Sequence, residues 1–166
     1  MPRAQVAVVM GSDSDMEVAK AAAELLDSLQ VPYQMRILSA HRTPDALIRF
    51  AKSAREGGFK VIICIAGGAA HLSGAVAANT LLPVIGVPVA SSPLFGLDSL
   101  LSTAQMPSGV PVATMAIGSG GAKNAALFAA QILSLQDKNL AKRIEQFRAK
   151  IRESLLIKDR KLYREK

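Results

Sequence analysis

Five short strand-patterned runs alternate with helix-patterned stretches along the whole chain, and this alternation constrains the fold more than any other feature. Gln5–Met10, Tyr33–Leu38, Lys60–Ala66, Val84–Val89 and Val110–Ile117 read as strands. After the first, Val18, Ala21, Ala22, Leu25, Leu26 and Leu29 recur on one helical face. Ser14, with Glu17 three residues on, is the expected capping box of that helix, and Val31-Pro32 breaks it. Thr43 is expected to cap a second helix with Pro44 at its first position, ending at Gly57-Gly58. Further helices are expected near Leu72–Leu81, Leu97–Thr103 and Ala122–Leu135, with a last amphipathic helix from about Lys138. Strands joined through helices pair in parallel, with helices covering both faces of the sheet. Only 4% of the residues are aromatic and Trp is absent, so small aliphatic side chains must do the filling. That suits close helix-on-sheet packing rather than a β-sandwich, and it gives no base-stacking surface for single-stranded nucleic acid.

The expected architecture is therefore α/β: a doubly wound, all-parallel sheet in a three-layer αβα stack. A flavodoxin-like strand order 2-1-3-4-5 fits best, because the most chemically loaded loops follow the first three strands. In such sheets ligands bind outside the strand C-termini at the switch in strand order. A length of 166 residues fits one domain, with residues 1–136 as the core and 137–166 as a basic C-terminal helix and tail. The net charge of +7 sits mostly in the tail, where eleven Lys/Arg face five Asp/Glu, against nine and eight in residues 1–136. A charged helical face is ordinarily a solvated one, so no nucleic-acid partner is expected. In the last helix Leu140, Ile144, Phe147, Ile151 and Leu155 form one stripe, longer than a completed sheet needs, which seeks its own domain or a neighbouring subunit. The lone Cys64 lies in an apolar strand and reads as an inert small hydrophobe. No apolar run approaches the ~18 residues of a membrane span, and Met1 to Gln5 shows no signal-peptide pattern, so a cytoplasmic protein without a membrane partner is expected.

Three strand-end segments concentrate the chemistry. In Gly11-Ser12-Asp13-Ser14-Asp15, the serines and free helix amides suit an anion, while Asp13 and Asp15 suit donors such as ribose hydroxyls or a ring amine. The plain alternative is that these residues are only caps; the spacing is neither a Walker A nor a dinucleotide fingerprint. In Ser39-Ala40-His41-Arg42-Thr43-Pro44, Arg42 opens a helix N-terminus, where a cation is unfavourable unless an anion lies between it and the amides. His41 beside it is a natural proton shuttle. In Gly67-Gly68-Ala69-Ala70-His71-Leu72, the small residues let a ligand ring approach the backbone, and His71 is a ring contact, a cap or a catalytic group. Two histidines without added cysteines or a binding carboxylate make a poor metal site, so no metal is expected.

These segments, together with Asp98-Ser99-Leu100, Gln105-Met106-Pro107, Gly109-Val110-Pro111-Val112 and Asn124-Ala125-Ala126, closely resemble the PurE family of purine biosynthesis over roughly residues 4–153. The resemblance implies a flavodoxin-like single catalytic domain spanning 1–166, a homo-octamer, and no metal, biotin or ATP requirement. One branch of the family is a mutase that converts 5-(carboxyamino)imidazole ribonucleotide to 4-carboxy-5-aminoimidazole ribonucleotide. A second branch carboxylates aminoimidazole ribonucleotide directly with carbon dioxide. By motif, Ser12, Asp15 and Arg42 would hold the ribonucleotide, with Arg42 and the serines (Ser39 among them) on the phosphate and Asp15 on the ribose. His41 would be the general acid and base. The loop from Gly67 to Leu72, with Gly68, Ala70, His71 and Leu72, would enclose the imidazole and the mobile carbon dioxide.

The chain departs from the mutase pattern at Ser73, where Pro is usual, at Met16, where Trp is common, and at Cys64-Ile65, where Ala-Gly is usual. Leu72-Ser73-Gly74 and Met106-Pro107-Ser108-Gly109 look more like the carboxylating branch, whereas His71, Arg42 and Pro44 are mutase features. The mutase is the favoured expectation and the direct carboxylase the second. A non-catalytic flavodoxin-like nucleotide-binding module is a third, disfavoured because aromatics to sandwich a flavin are scarce. A basic interaction protein acting through its tail is the fourth, disfavoured by the near-neutral body.

Overall fold

The computed structural model describes residues 3–164. Met1 and Pro2 of the expected N-terminal segment, and Glu165 and Lys166 of the expected tail, lie outside the described residues. Five strands, β1 (Val6–Met10), β2 (Tyr33–Ile37), β3 (Val61–Gly67), β4 (Val84–Val89) and β5 (Ala113–Thr114), form one sheet in the order β2-β1-β3-β4-β5. All its pairs are parallel. The helices are α1 (Met16–Ser28), α2 (Pro44–Ser53), α3 (His71–Ala77), α4 (Leu97–Ala104), α5 (Gly118–Ser134) and α6 (Lys138–Arg164).

The strand period of two divides the core between the two faces of the sheet. Val6, Val8 and Met10 of β1 join Ile63 and Ile65 of β3 on the face covered by α1 and α5. Ala7, Val9, Ile62 and Cys64 point to the opposite face and pack with Leu47 and Phe50 of α2 and Leu72 and Val76 of α3. Every residue of β1 is buried, as a strand covered on both sides requires. Burial pushes the Cys64 thiol pKa up, which suppresses the reactive thiolate and leaves an apolar filler.

Several local expectations are corrected. Ser14 does not cap α1: its own amide donates to Ser12 Oγ and Asp13 Oδ1, capping a short 3-10 turn at Asp13–Asp15 that precedes the helix. Thr43 sits at the N-cap of α2, but its hydroxyl is spent on Ser39, accepting from the Ser39 amide at 2.9 Å and donating to the Ser39 carbonyl at 3.2 Å. The second helix stops at Ser53 and continues to Gly58 only as turns; the third stops at Ala77. The fifth strand is two residues instead of Val110–Ile117. It is an edge strand, and Pro111 just before it and Pro88 in its neighbour lack the N–H groups that a longer ladder would use. Helix α5 starts at Gly118, before the expected Ala122, and a Cβ at Gly121 would collide with the Ala116 carbonyl, so that only glycine lets this first turn lie against it.

The stripe on α6 divides. Leu140 and Ile144 are buried in the core that α1 and α5 share, and Phe147 packs at its edge. Ile151 and Leu155 are 48% and 60% exposed. Asp137 caps α6 through Oδ1, and Arg143 donates from Nε to the Leu29 carbonyl at 2.8 Å, closing the C-terminal end of α1. The first half of α6 thus belongs to this domain, and the second half has no cover from it.

Candidate active site

The strand ends β1, β2 and β3, which neighbour one another in the sheet, carry their three loops to a single cleft of about 400 Å³. That is a size suited to a small ligand. Its lining brings together Ser12, Asp15, Ser39, His41, Arg42, Ala70, His71 and Leu72 from the expected set. Asp13 and Gly68 are outside this lining. Asp13 is exposed and accepts from Ser12 Oγ at 2.9 Å, a hydrogen bond that lowers its carboxyl pKa. Gly68 takes φ +60°, a left-handed turn that redirects the chain from β3 toward α3.

Several of the polar groups are held by traceable contacts. The Arg42 guanidinium donates to the Gly11 carbonyl at 3.0 Å, tying the second loop to the first. The Arg42 amide donates to Ser39 Oγ at 3.1 Å. Asp15 is only 5% exposed, and burial raises its carboxyl pKa above the usual range. Hydrogen bonds from Ser12, Ser14 and Gly11 and the charge of Arg42 pull the other way. A carboxylate in that position gains from any further donor, and a sugar hydroxyl supplies one.

Ala70 adopts φ +46°, a strained conformation for a residue with a side chain, and places His71 at the first position of α3. His71 Nδ1 lies 2.6 Å from His41 Nε2, with the rings edge to face at a centroid separation of 4.8 Å. The chain's only two histidines, thirty residues apart in sequence, are therefore hydrogen-bonded to each other. Among the described residues no cluster of three or more His, Cys, Asp or Glu could hold a metal ion.

Ser91 also lines the cleft and was not singled out from the sequence. It follows β4, the next strand beyond β3, and a side chain at Gly67 would collide with it. The Ser91-Ser92-Pro93 run at the end of another parallel strand was the available signal. Ser73, one of the carboxylase-like departures, is buried and does not line the cleft, and neither does Ser108.

Residues 5–154 of the chain match the family described as AIR carboxylase. The chain belongs to that family. Within it, the chain is 56% identical over 151 residues to the N5-carboxyaminoimidazole ribonucleotide mutase of Bacillus subtilis, covering 91% of this chain and 93% of that protein. It is 51% identical over 162 residues to the mutase of the same name from Thermotoga maritima, covering 98% and 92% respectively. The crystal structure of Treponema denticola PurE superposes with a TM-score of 0.86 at 33% identity, covering 96% of this chain and 99% of that one. The AIR carboxylase fold, with its parallel five-stranded sheet, is thus matched along nearly the full chain.

Proposed function

We propose that this protein is an isomerase of purine biosynthesis, an N5-carboxyaminoimidazole ribonucleotide mutase. It moves the carboxylate of 5-(carboxyamino)imidazole ribonucleotide from the exocyclic nitrogen to ring carbon 4. The observation that carries this reading is the identity of more than half the residues, over nearly the whole chain, with proteins named for that activity. The carboxylase-like departures Ser73 and Ser108 stand away from the lining, whereas Arg42 and His71 are in it.

The roles are those the family resemblance implies, and the gathering of these residues in one cleft supports them. Arg42, Ser39 and Ser12 bind the phosphate, and Asp15 accepts from the ribose hydroxyls, which offsets the cost of its burial. His41 gives a proton to the exocyclic nitrogen as the nitrogen–carbon bond breaks and carbon dioxide leaves. The freed bond pair stays on nitrogen. Ring carbon 4 attacks the carbon dioxide, and His41 recovers a proton when carbon 4 loses its hydrogen. The wall of Ala66, Gly67, Ala70 and Leu72 is short on polar side chains and favours retention of carbon dioxide over its hydration.

Substrate labelled with carbon-13 in the carboxylate, turned over in unlabelled bicarbonate, is therefore expected to give largely labelled product. Dilution of the label to the solvent value, with aminoimidazole ribonucleotide plus bicarbonate turned over equally fast, would assign the chain to direct carboxylation instead.

The ligand is a small ribonucleotide, and residues 1–166 act as a single catalytic domain. No described helix is long and apolar enough to cross a membrane. A cytoplasmic location is the reading that suits a biosynthetic enzyme with a basic, highly charged tail. The chain assembles with copies of itself, as an octamer. The support is the uncovered half of the α6 stripe together with Leu94, Phe95, Leu97 and Leu101, which are all exposed. Light scattering is expected to give eight chains, and the pair Ile151→Lys and Leu155→Lys to give smaller species that keep their helical content. A monomeric parent protein would remove the octamer from this account. Leu140 and Ile144 are unsuitable for that test because they fill the domain's own core.

A further inference from the structure

We propose that His71 is a positioning residue for His41: it holds the Nε2–H of His41 through its own Nδ1, so that His41 Nδ1 is the nitrogen that exchanges the proton with substrate. The inference rests on the functional reading above for the identity of the reaction, and on the histidine pair for its content.

A nitrogen–nitrogen separation of 2.6 Å requires a proton on one nitrogen and a lone pair on the other, since two lone pairs or two N–H groups would repel. A His41 that acts as the acid carries N–H on both nitrogens and so is the donor, with His71 Nδ1 the acceptor. Neither ring makes any other hydrogen bond among the described residues, so the pair is not oriented by a carboxylate or a backbone carbonyl. An isolated imidazole exchanges its proton freely between two nitrogens. The neighbour that occupies one nitrogen decides which is left for chemistry. His71 is well suited to be that neighbour. It sits at the first position of a helix whose start is set by the strained Ala70, so its backbone is fixed. His41 is flanked by Arg42, whose guanidinium is itself anchored on the Gly11 carbonyl.

The proton balance is simple in this arrangement. His41 enters as an imidazolium with both N–H groups. It keeps Nε2–H on His71 throughout, releases the Nδ1 proton to the exocyclic nitrogen, and regains a proton at Nδ1 from ring carbon 4. His71 stays neutral with its proton on Nε2. It therefore acts through His41, as the third member of a nucleophile–base–orienter set does.

His71→Ala is expected to lower kcat about 10- to 100-fold, a part of the ~10²–10⁴-fold that general acid–base catalysis supplies, with KM changed less than about threefold. His71→Asn should recover most of that loss, because its carboxamide oxygen can accept the same hydrogen bond. The double variant His41→Asn with His71→Ala should be no slower than His41→Asn alone, the pattern of two residues acting as a unit.

A second measurement is independent of turnover. With only two histidines in the chain, nitrogen-15 histidine labelling gives four ring signals. The neutral His41 tautomer should be protonated on Nε2 in the parent protein and become a mixture in His71→Ala. A loss confined to KM, an Asn variant as slow as the Ala variant, additive losses in the double variant, or a His41 signal protonated on Nδ1 would each overturn the proposal. Absence of mutase activity in the parent protein would sink the functional reading but leave the tautomer result to stand or fall separately.

Discussion

His41→Asn is expected to lower turnover by about 10²–10⁴-fold, the range that general acid–base catalysis supplies, while ribonucleotide binding stays within about tenfold. Two steps of the proposed reaction need the imidazole: proton delivery to the exocyclic nitrogen and proton removal from carbon 4. An amide can donate and accept hydrogen bonds but has no proton to transfer near neutral pH. Binding should survive because Arg42, Ser39 and Asp15 do not depend on the His41 ring: Arg42 rests on Gly11 and on Ser39. The separation of the two effects is the informative part. A residue that only filled space would raise KM and leave kcat alone. Single-turnover rates and equilibrium binding of the ribonucleotide, measured on the same variant, read the two directly. Turnover within a few-fold of the parent protein would take His41 out of the mechanism.

The sheet was legible in the sequence because the buried strands announce themselves twice, by an apolar run and by the breaker that follows, while the edge strand β2, with Gln34 and Arg36, shows only apolar–polar alternation. Val6 to Met10 and Val61 to Ile65 are apolar throughout since both faces are covered, and they proved to be the two strands at the middle of the switch in order. Element ends were less legible. A capping residue is recognised by type, yet Ser12, Ser14, Asp13 and Thr43 are all cap-type residues within short loops, and only the backbone path of each loop decides which of them bonds to which amide. The length of β5 was hidden for a related reason: apolar content says that Val110 to Ile117 is partly buried, but an edge position with prolines at 88 and 111 decides how much of it pairs.

The candidate site was legible as three loops, because parallel strands deliver their C-terminal ends to one side. Contact between the loops was not. Nothing in the spacing of His41 and His71 says that their rings meet, since that depends on the left-handed turn through Gly68 and Ala70. Ser91 escaped because small hydroxyl residues are common after strands, and the absent side chain at Gly67 that admits it is read only against the neighbouring strand.

Arg42→Ala is expected to weaken the ribonucleotide about 10- to 150-fold, and the corresponding nucleoside less than about threefold. The first figure is a charge-assisted hydrogen bond of roughly 1.5–3 kcal/mol written as an affinity ratio. The local electrostatics give the reason. Arg42 stands two residues before α2, at the end of the helix where the macrodipole is positive and a cation is unwelcome. A phosphate between the guanidinium and those amides turns two unfavourable neighbours into two ligands of one anion. The guanidinium also donates to the Gly11 carbonyl, so its removal loosens the first loop as well. That second effect acts on both ligands and sets the small loss expected for the nucleoside. Arg42→Lys should fall between, because an ammonium keeps the charge but loses the planar fork that can reach Gly11 and an anion together. Isothermal titration of nucleotide and nucleoside against all three proteins separates the contributions, and the difference should shrink as salt is raised. Equal losses for the two ligands would mean that Arg42 shapes the loop without touching the phosphate, and the phosphate site would then have to be sought around Ser12 and Ser14.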